Sequence, residues 1–277
     1  MSKNIVFSII IYNENYWEVE SFNSLLRSYE LHNRKECISI YIFDNSVKSN
    51  SKPHPTLDKN IKIKYISFAE NRGISRAYNY LTELALENEY EWIVFLDQDT
   101  RLPSDFYIKY LEAINLNHSV FNVAIPIIKT KQHILSPFIY RNYRGVFLKH
   151  KPSEFDLNKH SAINSGMLVS CKFFHATGGY NENLFLDFCD LDYFEKLKKY
   201  TNYIKIINTE LVQDFSTDTN TIDDALFRYK IYLNDLLTYI KGRNSIKILF
   251  LVDLPHLLRL TLQYRTIKFI KYRLTKL

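Results

Sequence analysis

Four short stretches rich in Ile, Val, Tyr and Phe alternate along this chain with segments that carry Leu and Ala at helical spacing. The apolar stretches are IVFSIIIY (Ile5 to Tyr12), ISIYIFD (Ile38 to Asp44), IKIKYIS (Ile61 to Ser67) and WIVFLD (Trp92 to Asp97). The helical segments run from Tyr16 to His32 and from Ile74 to Asn88. β-Branched and aromatic runs bounded by polar residues predict strands. Strands alternating with helices predict an α/β fold, with a Rossmann-like, mainly parallel sheet flanked by helices. Sheets of this kind bind ligands in the crevice beyond the carboxyl ends of their strands. The clusters YNEN, FDNS and LDQD all stand at such ends, so Tyr12, Asn13, Asp44, Asn45, Asp97 and Asp99 are expected to share one site.

Composition narrows the class. The chain has 277 residues, 46% hydrophobic and 24% charged, which describes a globular protein with a substantial core. Three scattered cysteines, Cys37, Cys171 and Cys189, make neither a disulfide framework nor a zinc cluster, and predict a reduced, cytoplasmic protein. The opening MSKNIVFSIIIYNEN reads as a first strand, not a signal peptide, because Ser8 interrupts its apolar run and no small-residue cleavage site follows.

The net charge of +6 is concentrated at one end. Residues 241–277 carry nine Lys and Arg against the single acid Asp253, while the preceding residues hold 27 basic against 29 acidic. IKILFLVDL, Ile246 to Leu254, is too short to span a bilayer and is followed by Pro255. Beyond it Leu257, Leu260, Tyr264, Ile267, Ile270 and Leu274 recur at spacings of three and four. Two readings fit: a basic amphipathic helix on an anionic membrane surface, or a terminal helix packed on the body with a solvated basic side. With no Pro/Gly-rich linker or internal repeat before it, residues 1–240 read as one catalytic domain and 241–277 as a basic helical tail. A nucleic-acid partner is not expected, since no recognition motif accompanies the basic tail.

Asp97-Gln98-Asp99 carries the chemistry. Carboxylates are hard to bury unless paired or metal-bound, yet these follow directly on an apolar run that should be internal on both faces. Helix-capping acids at a strand end are the plain alternative. Oxygen ligation beside an amide suits Mg²⁺ or Mn²⁺ better than zinc. A hard cation held by few carboxylates commonly takes further ligands from a diphosphate, which points to a nucleotide.

Five motifs in order then resemble the family 2 glycosyltransferases of GT-A fold, most of all their rhamnosyltransferase branch. They are FDNS with Asp44 and Asn45, ENRGISRAYN with Asn71, Gly73 and Asn79, LDQD with Asp97 and Asp99, NSGMLVS with Ser165 and Gly166, and GGYNENLFLDFCDLDYFEKLKK. The resemblance implies an inverting, metal-dependent enzyme moving a sugar from a nucleotide diphosphate to a hydroxyl of a glycan or lipid-linked oligosaccharide. It favours dTDP-rhamnose over UDP- or GDP-sugars. It implies cell-surface polysaccharide synthesis, with the protein peripheral on the inner face of the cell membrane.

Site roles follow from that resemblance. Asp44 is expected to accept a hydrogen bond from the imide N–H of uracil or thymine, and Tyr12 to lie near base and ribose. Asn71, Arg72 and Gly73 are expected to form a turn that approaches the nucleotide, with Asn13, Asn45 and Asn79 beside it. Asp99 is expected to ligate the metal, and Asp97 the ribose or a metal-bound water. A sugar hydroxyl needs a positioned carboxylate to take its proton, and three acids, Asp187, Asp190 and Asp192, crowd the stretch FLDFCDLDYF. Asp190 falls on the family's base position, with Asp192 second. Departures from the family are Lys196 for Arg, no glycine in FDNSVKS, and LVQDFS where His-Gly is usual, which leaves Gln213 or Asp214 to complete the metal site. A nucleotidyltransferase would show a Gly-rich basic loop after its first strand, which YNENYWE is not; a non-catalytic nucleotide-sugar binder would lack one of the acids.

Overall fold

The computed structural model describes residues 3–32, 36–48, 58–115, 121–213 and 221–276; Asp214 lies outside them. The first half follows the predicted alternation: β1 (Lys3–Ile11), α1 (Glu20–His32), β2 (Ile38–Asp44), β3 (Ile61–Ser67), α2 (Gly73–Glu87) and β4 (Tyr90–Asp97). The short β5 (Thr100–Arg101) and α3 (Phe106–Asn115) lead to β6 (Val123–Lys129), β7 (Ile134–Arg141), β8 (Arg144–Leu148) and β9 (His160–Ser161). Next come β10 (Leu168–Ser170), α4 (Cys171–Ala176), α5 (Cys189–Leu197), β11 (Lys205–Gln213) and α6 (Ile222–Tyr239).

The sheet runs β3-β2-β1-β4-β10-β6-β11-β5. β3, β2, β1 and β4 are parallel neighbours, and β6 and β11 run parallel to each other. β10 is reversed between β4 and β6. Alternating side chains of β1 fill both faces, Val6 and Ile10 toward one core and Phe7, Ile9 and Ile11 toward the other. Both faces are therefore dry, as the near-continuous apolar strand sequences require. α1 starts at Glu20, later than Tyr16, because Glu18 N–H bonds Asn15 C=O at 2.9 Å and turns the chain first.

The tail is helical but not one regular helix. It comprises α7 (Ser245–Ile248), a π-helical turn (Leu249–Asp253), α8 (Leu254–Tyr264) and α9 (Lys268–Leu274). Pro255 has no N–H and would crowd a carbonyl of the preceding turn in a regular helix; the wider turn just before it accommodates this. Arg265 ends α8 in the left-handed region at φ 49°. Of the predicted stripe, Leu257 and Leu260 are buried with Phe269 against α6, whereas Ile267 and Leu274 are exposed. Arg273 and Asp253 form a buried ion pair at 2.8 Å within the tail. A second apolar set, Ile246, Phe250, Leu258 and Leu262, faces solvent. No helix among the described residues is long and apolar enough to cross a membrane.

Because Phe269 is fully buried and Leu262 is 75% exposed, urea unfolding should separate them. Phe269→Ala should lose about 3–5 kcal/mol, and Leu262→Ser should stay within about 0.5 kcal/mol of the unsubstituted chain. Equal effects would contradict the packing of the tail on the core.

Candidate active site

Sheet register brings the polar strand ends together. Asp44 pairs across from Ile11 and Asp97 across from Ile10, so the two carboxylates flank the end of β1. The reversed β10 begins at this same edge, and the loop before it carries Asn164, Ser165 and Gly166 alongside. Ser165 Oγ accepts from Asp97 N–H at 3.2 Å and lies 2.6 Å from Thr100 Oγ1, which fixes the turn between β4 and β5. Gly166, at φ 78°, leaves no room for a side chain, since a Cβ would come within 2.5 Å of Pro126 and 2.7 Å of Leu211. Gln98 fastens the loop after β1, accepting from Tyr12 N–H at 2.6 Å and donating to Glu14 at 2.9 Å.

Asp97 accepts from the Tyr78 hydroxyl at 3.0 Å. Burial, then the neighbouring Asp99, pushes its pKa up to about 7. Asp99 stands at the rim; desolvation of its carboxylate raises its pKa, opposed by a 3.1 Å hydrogen bond from Gln213 Nε2. Gln213 is buried, and its Oε1 has no hydrogen-bond partner among the described residues. Two carboxylates that hold their protons too tightly, beside an unpartnered amide oxygen, are a donor set suited to a hard divalent cation. Among the described residues no group of three or more His, Cys, Asp or Glu gathers in this way.

The three crowded acids are not equivalent. Asp187 is held bidentate by Arg228 at 2.5 and 2.8 Å. Asp192 pairs with Arg243 at 2.8 Å, in a cluster that includes Glu195. Asp190, in the first turn of α5, has no cationic partner among the described residues; burial first, then the charge of Asp97, raises its pKa to about 7. The Cys189 thiol points at it, 3.7 Å away, and the Asn164 backbone N–H bonds it. The chain before Asp190 is pinned by the buried Asp235, whose carboxylate accepts the backbone N–H groups of Phe185, Leu186 and Asp187, each at 2.8 Å. Asp235, on the inward stripe of α6 with Leu233 and Leu236, went unnoticed in the sequence; an acid at an apolar helical position was the available signal.

The remaining residues divide into two groups. Asn45 joins the Asn71–Gly73 loop, accepting from Arg72 N–H at 3.0 Å and donating to Gly73 C=O at 3.2 Å. Asn71 caps that turn through Gly73 N–H at 3.0 Å, and Arg72 stacks on Phe68 at 3.5 Å. Gly73 adopts φ 77°, and the atom a Cβ would strike is the Phe185 carbonyl oxygen, at 2.4 Å, so the close approach is to the segment preceding Asp190. Asp44 is buried and accepts from both the Tyr65 hydroxyl and Ser46 N–H. Tyr12 is exposed, and Asn13, at φ 58°, donates its N–H to Ser46 at 2.7 Å. Asn79 holds the Gly178–Tyr180 turn, accepting from Tyr180 N–H at 2.8 Å and donating to its carbonyl at 3.0 Å and to the Glu182 carboxylate at 3.1 Å. Lys196 Nζ donates to the Gly179 carbonyl of the same turn.

A carboxyl that holds its proton more tightly folded than unfolded adds stability below its unfolded pKa, and that contribution is lost as pH rises through the folded value. For Asp97 and Asp190 the window runs from the ordinary 3.8 to about 7. Metal-free Asp97→Asn should therefore match the unsubstituted protein in urea unfolding near the bottom of that window and exceed it above the top. Parallel pH profiles would contradict the strained pair.

Comparison with known proteins bears on this geometry. Residues 7–176, from β1 through α4, match the family described as Glycosyl transferase family 2. That span includes Asp44, Asp97 and Asp99 and stops before Asp190. The chain is 28% identical over 211 residues to the dTDP-rhamnosyl transferase RfbF of Shigella flexneri, covering 75% of this chain and 67% of that one. In fold it resembles S. aureus TarS, with TM-score 0.56, 14% identity and 92% of this chain covered. It also resembles GalNAc-T7, solved with UDP, GalNAc and Mn²⁺, with TM-score 0.55, 13% identity and 76% covered. The chain spans less than half the length of those two structures, 46% and 43%. A mixed sheet with helices on both faces and acids at its carboxyl edge is the GT-A arrangement, and the chain belongs to glycosyl transferase family 2.

Proposed function

We propose that this protein transfers a sugar, with rhamnose from dTDP favoured, to a hydroxyl of a glycan or lipid-linked oligosaccharide, with inversion and with Asp190 as base. One observation carries the reading: of the three acids, Asp187 and Asp192 are neutralised by arginines, whereas Asp190, which feels the charge of Asp97, has no cationic partner among the described residues. A carboxylate in that setting is a stronger base than an ordinary aspartate, and general bases work best with a pKa near the operating pH. The acceptor hydroxyl gives its proton to Asp190 while its oxygen attacks the anomeric carbon from the face opposite the diphosphate. The bond from that carbon to the diphosphate oxygen breaks, and the nucleotide leaves with the electron pair. As Asp190 gains the proton, its repulsion with Asp97 is relieved.

Asp99, with Asp97 and the Gln213 amide oxygen, would hold Mg²⁺ or Mn²⁺, which when bound offsets the charge of the departing diphosphate. The Mn²⁺ and UDP in the GalNAc-T7 structure and the dTDP-rhamnose named for the Shigella relative support the cofactor and donor class. The Asp44 edge and the Asn71–Gly73 turn form the expected nucleotide side, joined through Asn45. The exposed set Ile246, Phe250, Leu258 and Leu262, in a tail of nine basic residues, supports contact with an anionic bilayer on the cytoplasmic face.

Asp190→Asn keeps the shape and removes the proton acceptor, so transfer should fall about 10²- to 10⁴-fold while dTDP and Mg²⁺ still bind in calorimetry. Asp187→Asn and Asp192→Asn should cost less, and near-normal turnover of Asp190→Asn would place the base elsewhere. For the tail, point substitution is the suitable probe, because Leu257, Leu260 and Phe269 belong to the core. The double substitution Leu258→Ser, Leu262→Ser should lower partition into phosphatidylglycerol vesicles without changing the melting temperature. Unchanged partition would leave these residues as bare surface.

A further inference from the structure

Between α6 and α8 lies a cleft of about 260 Å³ that neither the donor side nor Asp190 uses, lined by Asp187, Arg228, Tyr229, Tyr232, His256 and Arg259. It adjoins the catalytic edge, since Asp187 stands three residues before Asp190. Its charge balance is positive. Asp187, the one acid, is already engaged by Arg228, so the two arginines leave one net positive charge. Arg259 has no carboxylate within ion-pair distance among the described residues; its Nη2 donates to His256 Nδ1 at 3.2 Å. A guanidinium only donates, so Nδ1 accepts and the neutral ring carries its proton on Nε2. Burial, then Arg259, lowers the His256 pKa to about 4, which keeps that ring neutral. The ring packs on Tyr232 at 4.2 Å. The Tyr229 ring lines the cleft, while its buried hydroxyl has Asp253 and Arg273 as charged neighbours, outside it. A cleft with one net positive charge, a guanidinium free of any carboxylate and an imidazole N–H suits phosphoryl oxygens, which are acceptors only.

We propose that this cleft is an anion subsite that takes the phosphate or diphosphate of the acceptor, an inference that rests on the glycosyl transfer proposed above. The donor diphosphate is assigned above to Asp97 and Asp99, neither of which lines the cleft, so the cleft serves the other substrate. Its mouth suits an amphiphilic acceptor: Leu258 precedes Arg259 on α8, Leu262 lies one turn on, and they are 55% and 75% exposed. An anionic head in the cleft would leave an attached hydrocarbon chain beside these leucines, and the sugar end directed toward Asp190.

Titration calorimetry on the full chain in EDTA tests this with inorganic pyrophosphate, farnesyl diphosphate and phosphatidylglycerol vesicles as separate probes. Arg259 is exposed, so Arg259→Gln leaves the core untouched. It should weaken pyrophosphate and farnesyl diphosphate about tenfold or more, whereas Lys247→Gln, an exposed tail lysine outside the cleft, should change neither. No pyrophosphate binding, an equal loss in Lys247→Gln, or dependence on Arg259 confined to the vesicles would each overturn the subsite, the last by making it a lipid headgroup site. Binding of dTDP with Mg²⁺ reports the donor side independently. Its absence in the unsubstituted protein would overturn the glycosyl transfer itself, and its presence without pyrophosphate binding would overturn the cleft alone.

Discussion

The repulsion between Asp97 and Asp190 is the constraint on which the active edge depends. Burial raises the proton affinity of both carboxylates, and the charge of Asp97 raises that of Asp190 further; a fold bears that arrangement only if surrounding structure prevents the side chains from moving into water. Each is held from a different direction. Asp97 is fixed by β4, Tyr78 and Ser165. Asp190 is fixed by the start of α5, whose approach is locked by three backbone hydrogen bonds to Asp235. On the reading proposed above, a bound cation would relieve the strain at Asp97 and proton capture would relieve it at Asp190.

The reversed strand β10 makes this convergence possible. Because it runs against β4, its starting loop arrives where β4 ends, and Ser165 reaches both Asp97 and Thr100. On the far side of β10, β11 delivers Gln213 to Asp99. On the near side, Asn45 ties the Asn71–Gly73 turn to β2, and that turn touches Phe185, next to the Asp235 clamp. The Asn71–Gly73 turn and the segment leading to Asp190 are thus mechanically joined through the backbone at Gly73 and Phe185, where even a methyl group would collide. The tail completes the same core through Leu257, Leu260 and Phe269, and its remaining apolar residues are free for a surface.

Local pattern made the first half of the fold legible. Strands that are apolar on both faces, with polar residues at their ends, leave little choice but a covered sheet, and the edge carrying Asp44, Asp97 and Asp99 follows from that. Pairing order was not legible, because nothing local in LVS says that β10 runs antiparallel between β4 and β6. Nor could spacing rank Asp187, Asp190 and Asp192, whose difference lies in Arg228 and Arg243, arriving from 38 or more residues away in the chain. The tail stripe was read as one face, but its residues divide between core and solvent because the helix widens before Pro255 and breaks at Arg265. Asn79 reads as a donor-side residue by motif, and only the fold reveals that its amide is occupied by the Gly178–Tyr180 turn.

The central claim is a single displacement assisted by one carboxylate, and the anomeric configuration of the product tests it most directly. After transfer from dTDP-rhamnose with Mg²⁺ to a short soluble acceptor, proton NMR of the new glycosidic linkage should give the configuration opposite to that of the donor. A product with the donor's configuration would require a second displacement or a same-face mechanism, and would contradict Asp190 acting as the sole base.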